Sequence, residues 1–231
     1  MIAALKLIAD SGSYSGNYDE EKNDKANTEL RSLLTSHGDR QEILQYSFPK
    51  LKEEMGVATS PDGKFRIYSW DLQTGGTMHD YDCVFQYYGS LRGRPIAKPY
   101  AERGDMDAGS FYSRIAQVDM PLGRLYLANS TFIGDGMTHG QSIEIFGVSG
   151  DGLGSPKFIR TTKGLTNMVS FSYSPFTIKD RVDEDGLVTF ATDGRWFRFP
   201  VVINDKDSGA GRITNRFITY RFNGTHFVKV R

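Results

Sequence analysis

The rhythm of hydrophobic and polar positions changes once along this chain, near Val57. Before that point Leu30, Leu33 and Leu34 fall at i, i+3 and i+4 within Asn27-Thr28-Glu29-Leu30-Arg31-Ser32-Leu33-Leu34. That spacing lines one stripe of a helix, and Gly38 stands where such a helix would stop. The stretch 10–18 is rich in Ser and Gly and reads as a loop. Pro49-Lys50-Leu51-Lys52-Glu53-Glu54-Met55 predicts a second short helix, with Pro in the first turn and Gly56 just beyond the end.

From Val57 onward the apolar period shortens to two. Strands are predicted over 65–70, 82–88, 111–119, 125–129, 142–148, 157–161, 167–173, 187–191, 195–203, 213–222 and 226–230. Turn signals separate many of them: Ser60-Pro61-Asp62-Gly63, Asp185-Gly186, Asp193-Gly194 and Asn223-Gly224. The stretch 89–109, with Arg92-Gly93-Arg94-Pro95, is the longest expected to be irregular. Many short strands joined mostly by short turns predict an all-β meander with short N-terminal helices, built as a propeller-like body, a sandwich or a barrel. Residues 1–56 are expected to form a helical segment packed on the body, and 57–231 a single β domain.

Two segments carry a resemblance. Thr59-Ser60-Pro61-Asp62-Gly63-Lys64-Phe65-Arg66-Ile67-Tyr68-Ser69-Trp70-Asp71 resembles the turn-and-strand step of a β-propeller blade. The closing Tyr220-Arg221-Phe222-Asn223-Gly224-Thr225-His226-Phe227-Val228 is similar to the last hairpin of many uncharacterised exported bacterial proteins. The resemblance implies a propeller-like, exported bacterial protein without enzymatic activity, in the periplasm or secreted. A native start at Met1 in the cytoplasm is the alternative.

Charge narrows the partners. Lys plus Arg equals Asp plus Glu, at 28 each, so no global field draws the chain to nucleic acid or to an anionic membrane. Locally the balance is uneven: residues 151–231 carry 13 basic and 8 acidic side chains. Arg195, Arg198, Arg212, Arg216 and Arg221 concentrate that excess, either as a solvated strand face or as a docking surface for an acidic ligand or partner. No segment is long and apolar enough to span a bilayer. Cys83 is the only cysteine, which excludes an intrachain disulfide and suits a half-buried packing residue.

Candidate chemistry centres on two similar glycine-led loops, Thr74-Gly75-Gly76-Thr77-Met78-His79 and Gly134-Asp135-Gly136-Met137-Thr138-His139-Gly140. His79 is followed by Asp80 and Asp82, and Asp135 lies four residues before His139. Imidazole with carboxylate suits zinc or a His–Asp general base, or else two local turn histidines. Asp105-Met106-Asp107-Ala108-Gly109 and Asp205-Lys206-Asp207-Ser208-Gly209 share the alternating carboxylates of a calcium turn. The twelfth position counted from Asp205 is Arg216, which excludes an EF-hand there. No nucleophile elbow, Walker loop or dinucleotide fingerprint is present. Arg66, Tyr68 and Trp70 share one strand face, as a binding row toward solvent or as the second face of a two-sided core.

These readings converge on a binding or interaction protein, such as an inhibitor or immunity-type protein, whose partner is another protein or a cell-envelope ligand. No cofactor is expected; calcium or zinc are the ions the pattern suits. The opposing reading is a metal-dependent hydrolase using His79 and His139.

Overall fold

Helices α1 (Ile2–Ser11) and α2 (Glu20–His37) form in the apolar-periodic N-terminal region, and a short helix α3 (Gln41–Gln45) follows. A computed structural model describes residues 1–99, 108–121, 123–178, 186–204 and 210–230. The Asp19 carboxylate accepts from the Lys22 N–H at 3.1 Å and caps α2. Glu20 and Glu21 add negative charge to its first turn, where the helix dipole favours it. Gly38 follows the last turn as the spacing predicts, and Ala26, Leu30 and Leu34 form a buried stripe.

The helix expected over 49–55 does not form. Phe48 enters the segment at φ 51°, and Leu51 and Lys52 both donate to its carbonyl, so the chain runs as consecutive turns. Seven residues are too few to nucleate a helix unaided, and burial of Phe48, Leu51 and Met55 decides the local path instead.

Strands β1 (Gly56–Thr59), β2 (Phe65–Asp71), β3 (Tyr81–Gly89) and β4 (Arg94–Pro99) pair antiparallel in that order. Gly63 adopts φ 68° in the turn before β2, the left-handed conformation its position demands. Strand β4 lies inside the stretch 89–109 that was expected to be irregular. Its Pro95 and Pro99 are compatible with pairing because β4 is the sheet edge, where only one side of the backbone needs ladder bonds. One face of this sheet sets Tyr68, Trp70 and Val84 against Leu5, Leu30 and Leu34 of the helices. The other face buries Phe65, Ile67, Phe85 and Tyr87. Cys83 is buried there too, its thiol donating to the Ser110 carbonyl at 3.2 Å.

The later strands are β5 (Phe111–Met120), β6 (Gly123–Ile133), β7 (His139–Ser149), β8 (Gly152–Gly154), β9 (Ile159–Thr161) and β10 (Gly164–Thr166). They continue with β11 (Met168–Tyr173), β12 (Thr189–Phe190), β13 (Trp196–Ile203), β14 (Arg212–Phe222) and β15 (Phe227–Val230). One sheet runs β11-β7-β6-β5, with β8 paired to β7; the other runs β10-β9-β15-β14-β13-β12. Their apolar faces share one core, in which Leu127, Ile143 and Ile145 meet Phe197, Tyr220 and Phe227. Phe197 and Tyr220 stack at 5.2 Å between ring centroids. The result is sandwich-like, and the all-β expectation with N-terminal helices holds.

The chain forms two compact units. The first is Met1–Tyr112 with Ser149–Gly152, and the second is Ser113–Val148 with Leu153–Arg231. No described helix is long and apolar enough to cross a membrane.

Candidate interaction surface

Alternation along β13 and β14 sends Phe197, Phe199, Tyr220 and Phe222 into the core of the second unit. Trp196, Arg198, Thr219 and Arg221 therefore point outward. Strand pairing then aligns a row across five strands. Trp196 stands opposite Arg221, Arg221 opposite Val228, Val228 opposite Arg160, and Arg160 opposite Leu165. Cross-strand neighbours on one face lie about 5 Å apart, so the row is a contiguous strip of alternating apolar and cationic groups. A second row, Arg198, Thr219 and Val230, runs beside it.

The cations of this face are held open. The Arg198 guanidinium lies 4.6 Å from the Phe217 ring centroid and 5.9 Å from that of Trp196. Phe217 is itself 41% exposed and Leu165 37% exposed. Arg160, Arg198 and Arg221 are all exposed, and among the described residues none of them has a carboxylate partner. A ring beneath a guanidinium fixes its position without neutralising it, which leaves the charge available to an incoming acidic group.

The residues singled out from sequence are distributed elsewhere. Arg66, Tyr68 and Trp70 are 2%, 1% and 1% exposed, so the solvent-facing reading of that row is corrected: it is the helix-covered face of a two-sided sheet. Burial pushes the Tyr68 phenol above its ordinary pKa, with nearby Arg66 opposing the shift.

His79 belongs to the first unit and His139 to the second. His79 pairs through Nδ1 with Asp71 Oδ2 at 2.5 Å, not with the adjacent Asp80 or Asp82. Its ring lies 5.1 Å from that of Tyr14 and 6.0 Å from that of Tyr81. Asp80 instead accepts from Thr74 Oγ1 at 2.9 Å, and Asp82 pairs with Arg31 at 2.7 Å. His139 opens β7 opposite Tyr173, with ring centroids 6.3 Å apart. Asp135 accepts from the Met137 N–H of its own turn at 2.8 Å.

Among the described residues no three His, Cys, Asp or Glu side chains gather as a metal site. Asp105, Asp107, Asp205 and Asp207 lie outside the described residues.

Family models, curated proteins and solved structures give no match to this chain.

Sequence reading had singled out Arg198 and Arg221 by charge alone and had missed Arg160, Trp196, Phe217 and Leu165. Alternation already puts Trp196 with Arg198, and Thr219 with Arg221. Alignment of the strands, including the parallel β9–β15 pair that brings in Arg160 and Leu165, has no local signal. Phe217 follows from the same alternation, two residues before Thr219 and opposite Pro200.

Proposed function

We propose that this chain is a non-enzymatic binding protein that engages an acidic protein partner through the outer face of its six-stranded sheet. The observation that carries the reading is the in-register row Trp196, Arg221, Val228, Arg160 and Leu165, whose arginines have no carboxylate partner among the described residues. Arginine and tryptophan are among the side chains that dominate binding energy at interfaces, and paired strands present them from a fixed backbone. Exposed apolar side chains between the charges supply area to bury, and the arginines select carboxylates.

The resemblance of the 59–71 segment and the closing hairpin supports an exported bacterial setting, periplasmic or secreted. An inhibitor or immunity-type protein that occludes an acidic surface on an enzyme fits such a face. A hydrolytic reading would rest on the Asp71–His79 pair, which gathers no third metal-ligating group among the described residues.

The test is capture from a displayed peptide library, comparing the wild-type chain with the double substitution Arg198→Glu and Arg221→Glu. Enrichment of Asp- and Glu-rich peptides by the wild type, lost in the double variant, is the expected result. Equal enrichment by both overturns the reading. Competition by single-stranded DNA at matched salt would redirect it to a nucleic acid.

A further inference from the structure

A guanidinium is buried in the first unit without a counter-ion among the described residues, beside an open groove. Arg66 is 2% exposed. Its Nε donates to Thr59 Oγ1 at 2.8 Å, Nη1 to the Ile43 carbonyl at 2.8 Å and the Tyr68 hydroxyl at 3.2 Å, and Nη2 to the Tyr46 carbonyl at 2.8 Å. All four acceptors are neutral. The rings of Phe48 and Tyr68 flank the cation at 5.4 and 5.7 Å. A guanidinium has five N–H groups, so one on Nη2 has no acceptor among the described residues.

Neutral acceptors satisfy the hydrogen bonds but not the charge. Sequestering an ion from water without an opposite charge is strongly unfavourable, and a guanidinium cannot relieve that by deprotonating as a buried lysine does. Arg66 also passes its bond onward: the Tyr68 hydroxyl donates to Gln86 Oε1 at 3.0 Å, and Gln86 Nε2 to the Gly38 carbonyl at 2.8 Å. That relay ties β2 and β3 to the end of α2, but every member of it is neutral. It explains where the side chain is held and not why a cation is used.

The groove supplies the reason. It has a volume of about 550 Å³, and Arg66 lines it with Gln41, Gln45 and Lys64. Leu44 and Tyr88 add apolar wall. Small-molecule sites commonly have about this volume, with a few convergent polar groups. Lys64 has no carboxylate partner among the described residues, and its ammonium lies 5.9 Å from the Tyr88 ring centroid. Asp62, the one acidic residue of the lining, turns Oδ1 to the Ser60 hydroxyl at 2.5 Å and the Lys64 N–H at 3.1 Å. Two cations against one carboxylate leave the lining with an excess of one positive charge.

We infer that this groove binds a small oxyanion-bearing ligand, a carboxylate or a phosphate monoester, with Arg66 at its wall and Lys64 at its rim. An oxyanion there would compensate the buried charge and accept the free N–H, while the Gln41 and Gln45 amides offer donors to the rest of the ligand. The site is distinct from the sheet face of the second unit and does not depend on it.

The experiment is titration of the wild-type chain with inorganic phosphate and, separately, with citrate. Sodium chloride at matched ionic strength is the control, and binding is read by calorimetry and by the Arg66 Nε–H NMR resonance. The expected result is saturable binding of one anion or both, with a shift of that resonance and none in chloride. Phosphate alone assigns a phosphate ligand, and citrate alone a polycarboxylate. Lys64→Ala, at an exposed position, should weaken binding about tenfold, and Arg66→Gln should abolish it. If Arg66→Gln does not fold, Lys64→Glu gives the same reading by charge reversal. No saturable binding of either anion, or binding unchanged in Lys64→Ala with no Arg66 shift, overturns the inference.

Discussion

The indole N–H of Trp70, on β2, donates to Asn27 Oδ1, on α2, at 2.9 Å in a fully buried setting. The Asn27 amide also donates to the Asn23 carbonyl at 3.0 Å and the Leu72 carbonyl at 3.1 Å. One polar side chain thus fixes a helix to a strand and to the loop that leaves it. Replacing Asn27 by Leu keeps the branched shape, though not the volume, and strands a buried N–H and a carbonyl. A loss of about 1–3 kcal/mol is expected by urea unfolding. The pair Asn27→Leu with Trp70→Phe should lose less than the sum of the single changes, because the second substitution removes the orphaned donor.

Two glycines separate backbone strain from steric contact. Gly63 and Gly194 have φ of 68° and 67°. A Cβ on Gly63 would meet nothing within 4 Å, whereas one on Gly194 would lie 1.8 Å from the Gln117 carbonyl oxygen. Gly63→Ala is expected to cost about 1 kcal/mol, the left-handed penalty alone. Gly194→Ala should cost clearly more, and thermal melts of the two variants read the difference directly.

Asp71 anchors both ends of its loop, accepting from the Gln73 N–H at 2.7 Å and from His79 at 2.5 Å. Asp71→Ala removes both bonds, so faster amide exchange is expected at 73–79 with little change in β2 and β3. The loss of local stability should be about 1–2 kcal/mol. Unchanged exchange would show that the loop is held by other contacts.

The carboxyl of Asp135 is held below its ordinary pKa, chiefly by the Met137 N–H and further by Thr138 and the nearby His139. A depressed carboxylate pKa means that the folded turn prefers the ionised form. Its stabilising effect is therefore present above the unfolded carboxylate range and is lost as pH falls through the lower folded value. An NMR titration should show Asp135 titrating below a model peptide, and Asp135→Asn should remove the acid-dependent change at the Met137 amide.

On the outer face of the second unit, Phe217→Ala removes the ring beneath Arg198 while leaving the core intact. Stability should change by less than about 1 kcal/mol. Capture of acidic peptides should weaken, because Arg198 loses the surface that holds it in place. Thermal melts and peptide capture on the same preparation separate the two effects.

Much of the architecture was legible along the chain. The period-two runs and Asp-Gly or Asn-Gly turns are local signals, and the hairpins β12–β13 and β14–β15 follow from them. Helix α2 was likewise written in its leucine spacing and in Gly38. Strand β4 and the 49–55 segment depart from expectation because an edge position and burial of Phe48 outweigh proline and helix signals, and neither is visible locally.

The candidate surface divides in the same way. Alternation determines which side chains of β13 and β14 share a face, since that follows from backbone geometry alone. That Arg66 is buried under helices depends on which layer covers β2, and that Asp71 rather than Asp80 meets His79 depends on how the loop folds back. The alignment of Arg160 and Leu165 with Arg221 rests on pairing between strands far apart in sequence, through the parallel β9–β15 step that sets Val228 against Arg160. Local chemistry settles strands, turns and faces; only tertiary packing brings residues distant in sequence to one place, because the free energy that selects that packing is summed over the whole core.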